Sequence, residues 1–259
     1  MHPDIPFVTL VGSGTGVPAP DRGSPCLMVH YRNELTLLDL GPGAVRRLSG
    51  MGVPHSLVKN ILITHFHPDH TADLIHFLFA TRYPPVLEKR SPFRIIGPEG
   101  LLGLMNSFEQ AYGRWIRLPG DILSIEEMPL DASRVLGLEH FTVSSARTAH
   151  TGRSLAYRLD FPAGSSLVYS GDTGPCEALI TLAKGCDLLV LECSFPDGEE
   201  MEGHLTPGQA GEIASAAGAK KLVLVHFYPE VLPADISGLC RRRFQGELII
   251  GRDRLTVSI

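Results

Sequence analysis

The chain has 259 residues, 44% of them hydrophobic and 20% charged, which supports a sizeable core and excludes a disordered or fibrous chain. Twenty-three Lys and Arg against 28 Asp and Glu leave a formal net charge of −5, without the basic excess of a protein that coats nucleic acid. Five cysteines (Cys26, Cys176, Cys186, Cys193, Cys240) form no CxxC pair and read as reduced, mostly buried thiols. No stretch approaches the roughly 20 apolar residues of a membrane span, and no cationic leader precedes an apolar run, so a cytoplasmic protein with no membrane partner is expected.

Along the chain, Phe7 to Val11, Leu35 to Leu38, Asn60 to Ile63 and Phe93 to Ile96 are β-rich or continuously apolar and read as strands. So do Leu155 to Leu159, Ser166 to Ser170, Leu188 to Leu191, Leu222 to Val225 and Glu247 to Ile250. Apolar residues at helical spacing mark Thr71 to Arg82, Glu99 to Tyr112, Pro207 to Ala217 and Pro233 to Phe244. Leu74, Phe77, Leu78 and Thr81 share one helix face, and Pro84-Pro85 stops that helix. Early and late strand groups separated by helices predict an α/β (α+β) fold, a four-layer αββα sandwich, with a doubly wound parallel sheet as the alternative. A single domain over residues 1–259 is expected. Within it, Arg114 to Arg134 reads as a β-meander or, alternatively, as an insertion or lid.

The sharpest signal is Thr64-His65-Phe66-His67-Pro68-Asp69-His70, directly after the apolar strand NILI. Three imidazoles and a carboxylate so close together make a poor core sequence, because each buried polar group needs a partner, whereas a metal-ligand loop supplies those partners at once. His65 and His67, two apart on a strand end, point to one side and can share a metal, while Asp69 and His70 on the following turn can serve a second. Two ions need more ligands. His150, Asp172 and His226 stand where a small-residue segment and two apolar strands end, at the lip of a sheet.

This pattern, HxHxDH followed at long intervals by a His, an Asp and a His, resembles the metallo-β-lactamase superfamily. The resemblance implies the αββα fold and a two-metal site, with His65, His67 and His150 on one ion, Asp69, His70 and His226 on the other, and Asp172 bridging. Flavodiiron oxygen reductases carry a Glu where this chain has His67, and the nitrogen-rich set suits zinc, with manganese or iron as the other candidates. Main-group class B β-lactamases place a Cys on the second metal, and no Cys here stands beside a strand-end ligand. GSGTGVP at Gly12 to Pro18 and LLDLGPG at Leu37 to Gly43 look like the ribonuclease Z-like phosphodiesterase branch, in which Asp39 would orient a ligand histidine through its free ring nitrogen.

Glu192-Cys193-Ser194-Phe195 and Gly203-His204-Leu205-Thr206-Pro207 are similar to further segments of that branch. They imply that His204 touches the phosphate and protonates the leaving oxygen, supported by Glu192. The plainer reading is that Thr206-Pro207 opens a helix and His204 is a solvated loop residue. His2, His30, His55, His76 and His140 read as structural or surface residues, and Arg46-Arg47, Lys220-Lys221 and Arg241 to Arg243 as solvated helix ends.

The expected activity is phosphodiester hydrolysis by a binuclear-metal enzyme, with Asp69 accepting the nucleophile's proton and His204 as acid. The alternatives are hydrolysis of a thioester or lactone, as in glyoxalase II, and a non-catalytic binding module of the same fold. The long-armed ribonuclease Z enzymes insert an exosite arm between the third His and the bridging Asp. Here only residues 151–171 separate His150 from Asp172, enough for two strands and their turn. A small or cyclic phosphodiester is therefore expected as substrate in preference to tRNA or other RNA 3′ ends, and a homodimer is left open.

Overall fold

Strands that are apolar at every position need cover on both faces, and here two stacked sheets provide it, each with its outer face closed by helices. The computed structural model describes residues 4–131 and 134–259. In chain order the first half contributes β1 (Phe7–Gly12), β2 (Cys26–Tyr31), β3 (Glu34–Leu38), α1 (Ala44–Gly50), β4 (Val58–Leu62), α2 (Pro68–Thr71), α3 (Asp73–Thr81), α4 (Pro84–Leu87), β5 (Phe93–Pro98), α5 (Leu101–Tyr112) and β6 (Leu123–Met128). The second half contributes β7 (Val135–Gly137), β8 (Thr142–Arg147), β9 (Leu155–Asp160), β10 (Ser166–Tyr169), α6 (Glu177–Leu182), β11 (Leu188–Glu192), α7 (Pro207–Ala217), β12 (Lys221–Val225), α8 (Ile236–Arg241), β13 (Glu247–Ile250) and β14 (Thr256–Ser258).

The sheets run β14-β1-β2-β3-β4-β5-β6 and β13-β12-β11-β10-β9-β8-β7. In each, an antiparallel half gives way to a parallel half, β3 to β6 in the first and β10 to β13 in the second. Side-chain alternation divides the apolar residues into three layers. Leu10, Leu62, Leu167, Val190 and Val223 fill the space between the sheets. Ile61 and Ile95 pack outward with Leu74, Phe77 and Leu78 of α3, and Leu189, Leu191 and Leu222 outward with Ile213 of α7. The result is the αββα sandwich, not the doubly wound alternative.

Several elements depart from the sequence reading. The helix read as Thr71 to Arg82 is α3, starting at Asp73 after the separate turn α2, whose His70 carbonyl accepts from Leu40 N–H. The helix read as Glu99 to Tyr112 starts at Leu101, after Gly100 at φ 103°, and that read as Pro233 to Phe244 shortens to Ile236–Arg241. Strands β2, β7, β8 and β14 have no counterpart in the sequence reading, and the expected β-meander at Arg114 to Arg134 is instead, among the described residues, the single strand β6. Within the stretch 114–134, β6 pairs parallel to β5, while residues 132 and 133 lie outside the described residues, as does His2. Arg47 is no solvated helix end: its guanidinium donates to Val11 O, Ser24 O and Pro42 O, tying together the loops after β1 and β3. The cysteines are free thiols, all buried except the half-buried Cys176.

Phe77 is fully buried, with the rings of His55 and Phe93 edge-on at 5.6 Å. Phe77→Ala should cost about 3–5 kcal/mol of unfolding free energy through lost burial and a residual cavity. Chemical denaturation checks this, and a loss under 1 kcal/mol would show that the outer layer repacks freely.

Candidate metal centre

The parallel halves of both sheets end at the same edge of the sandwich, and the polar residues of the sequence motifs gather there. His65 and His67 lie on the extended segment after β4, and Asp69 and His70 on α2, which Pro68 opens at its first position. His150 lies in the loop after β8, held by Gly174 N–H donating to Ala149 O at 2.7 Å. Asp172 follows β10, and His226 follows β12 in the left-handed region at φ 60°. One ligand atom each of His65, His67, His150 and Asp172 lie within 4.8 Å of one another, as do those of Asp69, His70 and His226.

The Asp172 carboxylate divides between the two groups. Its Oδ2 lies 3.8 Å from His65 Nε2 and 3.7 Å from His150 Nε2, while its Oδ1 lies 3.2 Å from His70 Nε2 and 3.3 Å from His226 Nε2. Asp69 Oδ2 is 3.7 Å from each of His70 Nε2 and His226 Nε2. His67 presents Nδ1, 3.2 Å from His150 Nε2.

The outer nitrogens explain why Nε2 faces inward. His70 Nδ1 donates to Asp39 at 2.7 Å, His65 Nδ1 to Thr64 Oγ1 at 3.0 Å, His150 Nδ1 to Gly203 O at 3.0 Å and His226 Nδ1 to Ser194 Oγ at 3.0 Å. Each bond leaves the opposite nitrogen as a bare acceptor, the form a metal requires. Consistently, His65 Nε2, His70 Nε2, His226 Nε2 and Asp172 Oδ1 are buried and have no hydrogen-bond partner. Four orphaned polar atoms converging on one space would be costly in a cation-free core, so the residues fit a pair of divalent ions.

Electrostatics follow the same arrangement. Burial, then the neighbouring His70, hold His65 well below the ordinary histidine value. Burial works the same way on His70, but the Asp172 and Asp39 carboxylates outweigh it and raise it well above. Burial opposes ionisation of Asp172, and the surrounding imidazoles, His226 and His70 foremost, overcome it and hold the carboxyl well below its usual range.

Asp39 is the support expected from the sequence. Fully buried at φ 60°, it accepts from Thr64 N, Thr64 Oγ1, Tyr169 O–H and His70 Nδ1. Glycines admit the backbones that meet here. A side chain at Gly171 (φ 57°) would come 2.7 Å from Thr64 Cβ, and one at Gly41 would come 2.0 Å from Asp69 O. The glycine loop after β1 carries Ser13, whose carbonyl accepts His226 N–H at 2.8 Å. Asp253 in turn holds that loop, accepting from Ser13 N, Ser13 Oγ and Gly23 N.

His204 sits at the rim. Its Nδ1 donates to Glu192 Oε1 at 2.9 Å, and one of its ring nitrogens lies within 4.8 Å of ligand atoms of both Asp172 and His226. Glu192 is fully buried and braced by Thr173 N, Ser194 Oγ and Leu205 N. Burial lowers His204's affinity for a proton, but the hydrogen bond and charge of Glu192 outweigh it and raise the pKa. Thr206 caps α7 in a capping box with Gln209, so the cap and the rim position of His204 coexist. A cleft of about 660 Å³ opens beside His150 and His204, lined also by Arg147, Glu200, Met201 and Glu202. Sequence reasoning missed Thr64, Tyr169 and Ser194 as supports, and also Tyr228, whose ring stacks on Phe195 at 5.0 Å and meets His204 edge-on at 5.8 Å. Thr64 and Ser194 stand inside the quoted motifs, but Asp39 and His226, which they also contact, come from other strand ends.

Asp39→Asn keeps a residue that tolerates the left-handed backbone while turning one acceptor into a donor facing His70 or Thr64. Metal retention against a chelator should fall about 10–100-fold. Unchanged retention would remove Asp39 from the support of the centre.

The family model for the beta-lactamase superfamily domain matches residues 37–227. A ribonuclease Z of Mycobacterium sp. (strain KMS) is 30% identical over 97% of this chain and 95% of its own length. Among solved structures, the metallo-beta-lactamase fold protein YhfI from Bacillus subtilis aligns with a TM-score of 0.85 at 22% identity, over 99% of this chain and 100% of its own. Human tRNase Z, short form, aligns with a TM-score of 0.80 at 23% identity, over 98% and 99% respectively. Among the described residues no helix is long and apolar enough to cross a membrane.

Proposed function

Because the chain belongs to the metallo-β-lactamase superfamily, in its ribonuclease Z-like branch, we propose that it is a binuclear metal-dependent hydrolase of phosphodiester bonds. The proposed ligands are His65, His67 and His150 for one ion and Asp69, His70 and His226 for the other, with Asp172 shared. The orphaned, inward-facing acceptors support this assignment. Two divalent ions, when bound, polarise the phosphate and lower the pKa of water. Zinc suits a set so rich in imidazole, with manganese or iron as the other candidates.

The observation that carries the reading from hydrolase to phosphodiesterase is the Glu192–His204 pair at the rim. An alkoxide leaving from phosphorus needs a proton, and an imidazole outside the ligand set supplies it. With Nδ1 committed to Glu192, His204 keeps its second N–H for the departing oxygen, and Glu192 stabilises the charged form. Asp69, beside His70 and His226, is placed to take the proton of the attacking water. A thioester or lactone hydrolase would need no such acid for its better leaving group, and a binding module would need neither pair nor ligands. His204→Ala should retain metal and lose about 10²- to 10⁴-fold in turnover of an alkyl phosphodiester, with a smaller loss for a nitrophenyl ester. Equal losses for both esters would assign His204 to binding instead.

The preferred substrate of this proposal is a small or cyclic phosphodiester. Residues 151–171 hold β9, β10 and their connections, with no room for an arm, and Glu200 and Glu202 line the cleft where a polyanion would approach. Small diesters should be cleaved readily and precursor tRNA weakly, with tRNA binding lost as salt rises. Efficient, specific cleavage of precursor tRNA at physiological salt would overturn this preference.

A further inference from the structure

At the opposite end of the sandwich a second cluster lies outside the motifs. Glu34 opens β3, whose far end leads into Asp39, and Glu139-His140 precede β8, whose far end leads towards His150. The cluster is therefore one strand length, roughly 17–20 Å, from the His/Asp centre. We propose that Glu34, Glu139 and His140 bind a further divalent transition-metal ion, a staple between the two sheets.

Ligand atoms of the three residues lie within 4.8 Å of one another. Glu34 is only 6% exposed, and its Oε2 is buried without any hydrogen-bond partner. Its Oε1 is 4.0 Å from His140 Nε2, which is also 4.0 Å from Glu139 Oε1, too long for hydrogen bonds. A nearly buried carboxylate oxygen without a partner is costly, and the Glu139 carboxyl that meets Glu34 brings no positive charge. Burial, and then a hydrogen bond with the Glu139 carboxyl, push Glu34 above the ordinary carboxylate range, against the smaller pull of His140 and Lys59. Lys59 lines the adjoining cavity of about 390 Å³, and its charge reaches Glu34 only from a distance, with no ion pair between Lys59 and either carboxylate among the described residues.

Two carboxylates and an imidazole make a mixed oxygen–nitrogen set suited to zinc or manganese, with water from the cavity completing the shell. Arg32 Nη1 reaches His140 Nδ1 at 3.4 Å from the solvent side, and Arg32 Nε lies 3.5 Å from Asp4. Ligation through Nε2 puts the imidazole proton on Nδ1 and displaces Arg32 towards Asp4.

The test counts ions by elemental analysis in tag-free protein loaded with Zn²⁺ or Mn²⁺ and then desalted. Glu34→Gln and His140→Ala should each hold about one ion fewer per chain than the unaltered protein, whatever number the main centre holds. Their melting temperature should also gain less on metal addition. Arg32→Ala should keep the ion. Equal counts in the Glu34 and His140 variants, or loss of the ion in Arg32→Ala, would overturn the proposal in favour of a proton shared between the carboxyls. Should those variants fail to fold, ¹¹³Cd resonances of the unaltered protein decide: a signal from an oxygen-rich site besides those of the imidazole-rich centre supports the staple, and its absence overturns it.

Discussion

Two acceptors cannot face each other at close range without something positive between them, and the whole strand-end edge of this protein is built on that constraint. The Nε2 atoms of His65, His70, His150 and His226 approach the Asp172 carboxylate at 3.2 to 3.8 Å. The outer nitrogens of His65, His70, His150 and His226 are each held by a protein acceptor, so these four rings cannot relieve the conflict by turning over. The same bonds that orient these rings leave bare nitrogens turned towards Asp172, an arrangement that divalent cations would resolve. Asp39 shows how far this support extends, since Thr64, His70 and Tyr169 of three different segments converge on one buried carboxylate.

The fold makes the convergence possible because parallel strands in both sheets finish at one edge. Loops after β4, β10 and β12 therefore open onto a common space, and the interlayer core of Leu62, Leu167, Val190 and Val223 sits directly beneath. Tyr157, fully buried, donates its hydroxyl to Ile63 O at 2.8 Å and so joins the second sheet to the backbone just before the His-rich loop. Relative placement of the two halves of the centre is thus a property of sheet stacking rather than of any loop.

How much of this was legible in the sequence depended on how strongly each segment announces itself alone. LLVLE and KLVLV are apolar at nearly every position, so β11 and β12 could be read without knowing their neighbours. TVSSAR could not, because β8 buries small polar residues that only its pairing with β7 and β9 makes strand-like. Edge strands β6 and β14 carry exposed or charged faces and give little signal. At the candidate centre, the His and Asp residue types and their strand-end positions are visible in the sequence, as is Asp39. The identity of each outer-nitrogen partner was not: Gly203 O beside His150 and Ser194 beside His226 are set by which loops lie next to each other, information that no local pattern contains.

Asp253 precedes β14, the strand that follows all the others in the sequence and pairs with β1 in the first sheet. Through Ser13 and Gly23 it fixes the glycine loop on which the backbone of His226 rests. During synthesis the His-rich loop emerges from the ribosome long before this clasp does. The nascent chain would therefore present the proposed ligands of that loop before the surrounding geometry exists. If the proposed centre is loaded only after the clasp has closed, its choice of ion would follow the completed cage rather than the ion that is merely abundant.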